Sequence, residues 1–153
     1  VADPAIACEE LTYTYLRGTP RETVALRGID LEIRAGELLA IIGPTGSGKS
    51  TLVQHFNGLL RPTAGTIRVG GEDLWGPTTD RRRARQRVGL VFQAPEAQLF
   101  EETVRRDVAF GPRNLALSEE AVAVRVEEAL RQVGLDPARF SDRSPFELSG
   151  GEK

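Results

Sequence analysis

The sequence predicts an α/β fold in which a glycine-rich loop joins a buried strand to a helix. A small antiparallel sheet is expected on its N-terminal side and a helical segment on its C-terminal side. Three observations predict this. The run Gly43-Pro44-Thr45-Gly46-Ser47-Gly48-Lys49-Ser50-Thr51 is preceded by the apolar stretch Leu38-Leu39-Ala40-Ile41-Ile42 and followed by Leu52-Val53-Gln54-His55-Phe56-Asn57. Upstream, apolar residues recur with the period of two that marks strands. Downstream of about residue 94 the composition turns helical, and one segment carries its apolar residues at helical spacing.

Ile6 to Tyr15 is rich in strand formers, and Leu11, Tyr13 and Tyr15 share one face. A polar loop, Leu16 to Glu22, follows. Ile29, Leu31 and Ile33 then alternate with Asp30, Glu32 and Arg34, the pattern of a half-exposed antiparallel strand. Ala35-Gly36-Glu37 turns the chain into Leu38–Ile42, a run suited to a buried parallel strand. Beyond the glycine loop, Leu52, Val53 and Phe56 fall on one helical face, and Asn57-Gly58 is a helix stop. Arg61 to Gly65 reads as a loop, Thr66 to Val69 as a strand and Gly70-Gly71 as a tight turn. Asp80 is placed to cap a short helix over Arg81–Arg87, whose five arginines read as an exposed helical face because no aromatics are interleaved with them. Val88 to Phe92 is a second buried-strand candidate with Gln93 at its C-terminal end, where open α/β sheets collect ligands.

Thr103 caps a helix from Val104 to Phe110 that Gly111-Pro112 is expected to end. Ser118 opens the clearest helix, with Val122, Val126, Leu130 and Val133 on one side, Arg125, Glu127, Glu128 and Arg131 mostly off that stripe, and Gly134 as its stop. Residues 1–153 thus read as one partial domain. Its parts are an antiparallel β subdomain with the loop core over about 1–93, an inserted helical subdomain over about 94–147, and a closing segment over 148–153.

The central run satisfies G-x-x-x-x-G-K-[ST], the phosphate-binding P-loop, in the strand–loop–helix context that the pattern requires. Glycines at 43, 46 and 48 permit positive φ and close backbone approach, so backbone N–H groups can wrap phosphate oxygens at a positive helix end. Lys49 is expected to reach the β- and γ-phosphates, and the Ser50 hydroxyl to hold Mg²⁺. The sequence therefore predicts nucleotide binding.

Hydrophobic residues make up 40% of the 153 and charged residues 27%, the balance of a soluble globular protein. A net charge of −2 supplies no basic footprint for nucleic acid, so no nucleic-acid partner is expected. No apolar run approaches the roughly 20 residues of a membrane span. Val1-Ala2-Asp3-Pro4-Ala5 shows no leader pattern, and the single cysteine, Cys8, is expected to be a small buried apolar residue.

Later landmarks narrow the class. Gln93 after an apolar strand, then a helical insert, then Leu148-Ser149-Gly150-Gly151-Glu152, stand in the order of an ATP-binding cassette (ABC) ATPase, which the whole chain resembles. Val91-Phe92-Gln93-Ala94-Pro95-Glu96-Ala97-Gln98-Leu99-Phe100, with Thr103-Val104 and Asp107-Val108-Ala109-Phe110-Gly111-Pro112, is similar to the ATPases of energy-coupling-factor (ECF) importers of vitamins or transition-metal ions such as cobalt and nickel. Gly18-Thr19-Pro20 before Ala25-Leu26 is similar to one of the two ATPase types of that family.

The resemblance implies roles. Tyr15 stands where an aromatic stacks on adenine, with core packing as its alternative. Gln93 would touch Mg²⁺ or the attacking water and sense the γ-phosphate. Ser149, Gly150 and Gly151 would bind the γ-phosphate of ATP held by a second ATPase subunit, and Ala94 to about Pro112 would receive a helix of a transmembrane coupling subunit that also carries a substrate-binding membrane subunit. The protein would then lie at the cytoplasmic face of the membrane as a peripheral subunit. The family pattern continues beyond the signature with a strand ending in Asp-Glu and with a switch histidine. The sequence reaches Lys153 before either, so the fold is expected to be truncated after the signature and this chain alone to bind nucleotide at best, without turnover. His55 matches no switch position and reads as a surface or packing residue. A soluble ABC ATPase of another process and a non-catalytic nucleotide-binding fragment remain alternatives.

Overall fold

The computed structural model describes residues 3–153; Val1 and Ala2, which open the segment read as lacking a leader, lie outside it. The chain forms two compact units, Val1–Leu90 and Val91–Lys153.

In the first unit, β1 (Ile6–Tyr15) lies between β2 (Thr23–Ile33) and β3 (Ala64–Val69), and β4 (Glu72–Asp73) closes the sheet in the order β2-β1-β3-β4. Every pairing is antiparallel. The ladder between β1 and β2 runs from Ile6 opposite Ile33 to Tyr15 opposite Thr23, with register shifts between Leu11 and Thr14 that bend the strand just before Tyr15. Strand β1 crosses so near β3 that a Cβ at Gly65, which sits at φ +77°, would collide with the carbonyl oxygens of Glu9 and Glu10.

Helix α1 (Lys49–Phe56) follows the glycine loop and ends at Asn57, as the sequence predicts. Its buried face is Thr51, Leu52, His55 and Phe56, while Val53 is only partly covered. Leu52 and Phe56 join Cys8, Leu11, Leu26, Ile67, Val69 and Leu74 in one core. Each large apolar side chain so buried contributes about 1.5–3 kcal/mol. Cys8 is enclosed as expected, and burial pushes its thiol up to about 11. Helix α2 (Arg81–Arg87) begins where Asp80 accepts the Arg82 N–H at 2.9 Å. Its five arginines are exposed, as the sequence predicts, and two of them also make contacts: Arg81 stands 5.1 Å from the Trp75 ring centroid, and Arg85 donates to the Gly58 carbonyl at 3.2 Å.

Two expectations fail here. Leu38–Ile42 and Val88–Phe92 are not strands, and Leu38, Ile42 and Val91 are 99%, 91% and 85% exposed. A strand buried on both faces exists only within a ladder that satisfies its N–H and C=O groups. Among the described residues no strand pairs with either run, and the sheet that forms is antiparallel throughout.

In the second unit, α3 (Val104–Asn114), α4 (Glu119–Gln132) and α5 (Pro137–Phe140) pack around Val104, Ala109, Val122, Val126, Leu130, Phe140 and Leu148. The Thr103 hydroxyl accepts the Arg106 N–H at 3.3 Å, and the Ser118 hydroxyl accepts the Ala121 N–H at 3.3 Å, so both expected caps form. Helix α3 does not stop at Gly111-Pro112 but passes through it. A residue before proline is pushed out of the helical region by clashes of the proline ring with its N–H and its Cβ, and Gly111 is free of the second. In the last turn of α3, Arg113 grips Glu119 at the start of α4 through two hydrogen bonds of 3.1 and 3.0 Å. Val133 leaves the predicted stripe: it is the helix cap and 71% exposed.

Substitution Gly65→Ala is expected to destabilise the first unit by about 2–4 kcal/mol, since it adds backbone strain to a collision with β1. Gly18→Ala, at φ +78° with nothing within 4 Å, is expected to cost only about 1–2 kcal/mol. Urea or thermal denaturation of both variants measures the contrast.

Candidate functional site

The glycine loop is shaped by three glycines with different duties. Gly46 sits at φ +84° and makes the turn. Gly48, at φ +92°, seats the start of α1 on the sheet: a Cβ there would stand 2.7 Å from the Ala25 carbonyl oxygen and 3.0 Å from Leu26 Cδ2. At Gly43 a Cβ would meet Ser47 Oγ at 2.9 Å, so a larger residue there would force the Ser47 side chain to turn away. Ser47 N–H donates to the Pro44 carbonyl at 3.2 Å and closes the turn.

Lys49 is gathered over this loop. Its Nζ donates to the carbonyls of Gly43 and Pro44, each at 2.8 Å, and to Ser47 Oγ at 3.4 Å. One cation, the N-terminal N–H groups of an eight-residue helix and no acidic side chain in its first turn converge there. That donor set suits a multiply charged anion and nothing cationic on its own. Ser50 is exposed beside it, with a hydroxyl available to a divalent cation that accompanies such an anion.

Thr51 is turned inward and is 8% exposed. Its Oγ1 is 3.0 Å from the Tyr15 hydroxyl, so the end of β1 is tied to the first turn of α1. The Tyr15 ring, still 37% exposed, meets Tyr13 edge-on at 4.7 Å. Tyr13 in turn meets His55 edge-on at 4.9 Å. His55 is 0% exposed, and its Nδ1 lies 2.7 Å from the Thr51 carbonyl. A carbonyl only accepts, so Nδ1 carries the hydrogen and Nε2, which has no partner, is left as an acceptor. Burial lowers the His55 pKa against the opposing pull of the Thr51 carbonyl, and the ring is held neutral.

Tyr15 and residues 43–51 therefore share one unit, whereas Gln93 and Ser149–Gly151 belong to the other. Gln93 is exposed at a bend, just before a 3-10 turn over Pro95–Gln98. Asp107 holds the chain that follows by accepting the N–H groups of Phe100 and Glu101 at 3.2 Å each. At the far end, Leu148 is buried and Ser149 starts a helical turn, its carbonyl accepting from Glu152 and Lys153 at 3.0 and 3.1 Å. Glu152 reaches back to accept the Ser149 N–H at 2.8 Å, one half of a capping box. Hydrogen bonds from Ser149 hold the Glu152 carboxyl below the usual carboxylate range. Around Gly150 and Gly151 a Cβ would meet nothing within 4 Å, so both backbones are open to approach.

Sequence reasoning did not foresee the participation of Tyr13 and His55 beside Thr51. The signal was present as spacing: Tyr13 and Tyr15 are two apart on a strand, and Thr51 and His55 four apart on a helix.

A profile of the ABC transporter family matches residues 26–153, from within β2 through the glycine loop to the last residue. The chain belongs to the ABC transporter family. It is 54% identical over 148 residues to the energy-coupling factor transporter ATP-binding protein EcfA2 of Clostridium acetobutylicum, covering 97% of this chain and 52% of that one. The EcfA2 protein of Symbiobacterium thermophilum is 58% identical over 147 residues, covering 96% and 51%. Among solved structures, cbiO1 of Clostridium perfringens, described as part of the ABC transporter complex cbiONQ, matches with TM-score 0.79 at 39% identity over 96% of this chain and 56% of that one. The ATP-binding cassette MJ0796, solved as a dimer with ADP and Pi, matches with TM-score 0.77 at 29% identity over 96% and 64%. This chain of the ABC family thus spans about half the length of the curated relatives it matches.

Because burial lowers the pKa of His55 from its ordinary 6.5, the unfolded chain binds a proton there before the folded one does. Stability is then full above pH 6.5 and falls as the pH drops below it. A melting series from pH 7.5 to 5 is expected to show this decline, and its slope is expected to flatten in His55→Asn.

Proposed function

We propose that the protein carrying this chain binds Mg-ATP and, as one of a pair of ATPase subunits, hydrolyses it to power an energy-coupling-factor importer of a vitamin or transition-metal ion. The observation that carries the reading is the Lys49 ammonium gathered with the Gly43–Gly48 loop at the head of α1. In this reading Gly43, Thr45, Gly46, Ser47, Gly48, Ser50 and Thr51 line the phosphates with backbone N–H groups and hydroxyls, and Pro44, which has no N–H, shapes the loop between them. Lys49 exchanges its loop carbonyls for the β- and γ-phosphate oxygens, where its charge offsets what develops on the transferred group. Ser50 and Gln93 would hold Mg²⁺, which when bound neutralises phosphate charge. Tyr15 offers its exposed ring to adenine.

The second unit supplies the paired contacts. Ser149, Gly150 and Gly151 would meet the γ-phosphate of ATP on the partner ATPase subunit, and the openness around both glycines supports that use. The segment from Ala94 to about Pro112 would receive the transmembrane coupling subunit, which is joined in turn by a substrate-binding membrane subunit. Phe100 and Phe110 support this: they pack edge-on at 5.0 Å yet are 58% and 50% exposed, an apolar surface suited to a partner helix. No helix among the described residues is long and apolar enough to cross a membrane. A peripheral place on the cytoplasmic face accords with that.

Lys49→Ala is expected to weaken Mg-ATP binding about tenfold to a hundredfold, the worth of a charged hydrogen-bonding group, in calorimetric titration at unchanged melting temperature. Equal binding in the variant would sink the phosphate-site reading. Co-purification of the full-length protein with a hydrophobic membrane subunit separates the importer from a soluble ABC ATPase. A chain ending at Lys153 is expected to bind nucleotide without turnover, and turnover equal to that of the full-length protein would overturn that expectation.

A further inference from the structure

The contacts around Thr51 have no assigned role. The Tyr15 hydroxyl touches Thr51 Oγ1 at 3.0 Å, the His55 Nδ1–H donates to the Thr51 carbonyl at 2.7 Å, and Tyr13 stands edge-on to both Tyr15 and His55 at 4.7 and 4.9 Å. Four side chains from two elements therefore close a ring between the end of β1 and the first two turns of α1. Three of the four contacts converge on groups that the proposed nucleotide site needs. The ring of Tyr15 is open to solvent on part of its surface, while Thr51 and His55 are buried at 8% and 0% exposure.

We infer that Tyr13, His55 and the Tyr15 hydroxyl form a brace that fixes the Tyr15 ring relative to the glycine loop, making Tyr13 and His55 positioning residues for the base of the bound nucleotide. The inference rests on the ATP reading above and deepens it. A tyrosine at the end of a bulged strand, free to rotate about two side-chain torsions, loses entropy when a base stacks on it. Anchored at its hydroxyl and flanked by Tyr13, the ring has already lost that freedom. Tyr13 is itself held against a histidine whose one N–H is committed to the Thr51 carbonyl, so the ring cannot flip without losing that bond. With Tyr15 as the donor to Thr51 Oγ1, the Thr51 hydroxyl keeps its own proton for an acceptor outside the pair. Base and phosphate ends of the site are thus joined through a single residue.

This account separates the base from the phosphates, and so does its test. In the full-length protein, Mg-ATP and magnesium tripolyphosphate, which has no base, are titrated against the wild type, Tyr15→Ala, Tyr15→Phe, Tyr13→Leu, His55→Leu and His55→Asn. Tyr15→Phe, Tyr13→Leu and His55→Leu are each expected to weaken ATP about three- to tenfold, the worth of one hydrogen bond or aromatic contact, and tripolyphosphate less than twofold. His55→Asn, whose amide can donate to the Thr51 carbonyl, is expected to restore much of the ATP affinity lost in His55→Leu. Parallel loss of both ligands, or of neither, in the Phe and Leu variants overturns the brace. If Tyr15→Ala leaves the ratio of the two affinities unchanged, the stacking role of Tyr15 itself fails, a different result from a brace that is absent while Tyr15→Ala selectively weakens ATP. Tyr15→Phe keeps the ring and removes only the hydroxyl that meets Thr51 Oγ1, so it decides the matter even if a His55 variant does not fold.

Discussion

The seating of α1 on the antiparallel sheet governs what the glycine loop can do. Gly48 lies against the Ala25 carbonyl with no space for a side chain, and Leu52 and Phe56 sink into the core beside Leu11, Leu26 and Ile67. A loop of glycines has many conformations and loses all but one when it binds an anion. Pinning its C-terminal end to a packed helix removes much of that cost in advance. Lys49 completes the arrangement by drawing Gly43 and Pro44 toward the helix end. The small sheet is therefore more than a flank: it is the support from which the glycine loop is hung.

The same support reaches the other end of the site through Thr51. One residue is bonded by its hydroxyl to β1 and by its carbonyl to His55, one turn further along α1. Neighbouring Lys49 and Ser50 remain directed to the loop and to solvent. Adjacent positions on a helix point about 100° apart, so the run Lys49-Ser50-Thr51 can serve ligand, solvent and sheet at once.

The apolar runs on either side tell a different physical story. Leu38–Ile42 and Val88–Phe92 carry the composition of strands buried on both faces, yet they lie exposed and unpaired among the described residues. Composition specifies that such a strand wants neighbours but does not provide them, because a ladder is made between segments and not within one. Relatives of this chain are about twice its length, so the matched half is the part that carries the glycine loop and the Leu148–Glu152 segment. In the second unit the opposite holds: α3 and α4 satisfy their own backbones, and their caps and apolar stripes form locally.

What the sequence determined alone was everything whose cause is local. The glycine loop, its helix, the strand alternation in β1 and β2, the caps at Asp80, Thr103 and Ser118 and the family order of motifs were all legible, because spacing and residue type act within a few positions. Tertiary structure decided the rest. It left the two apolar runs without ladders and turned Val133 out to solvent. It also buried His55 and joined it through Tyr13 to Tyr15, residues 42 and 40 positions away in sequence. No periodicity records such a contact, since it exists only when a strand and a helix from distant parts of the chain pack face to face.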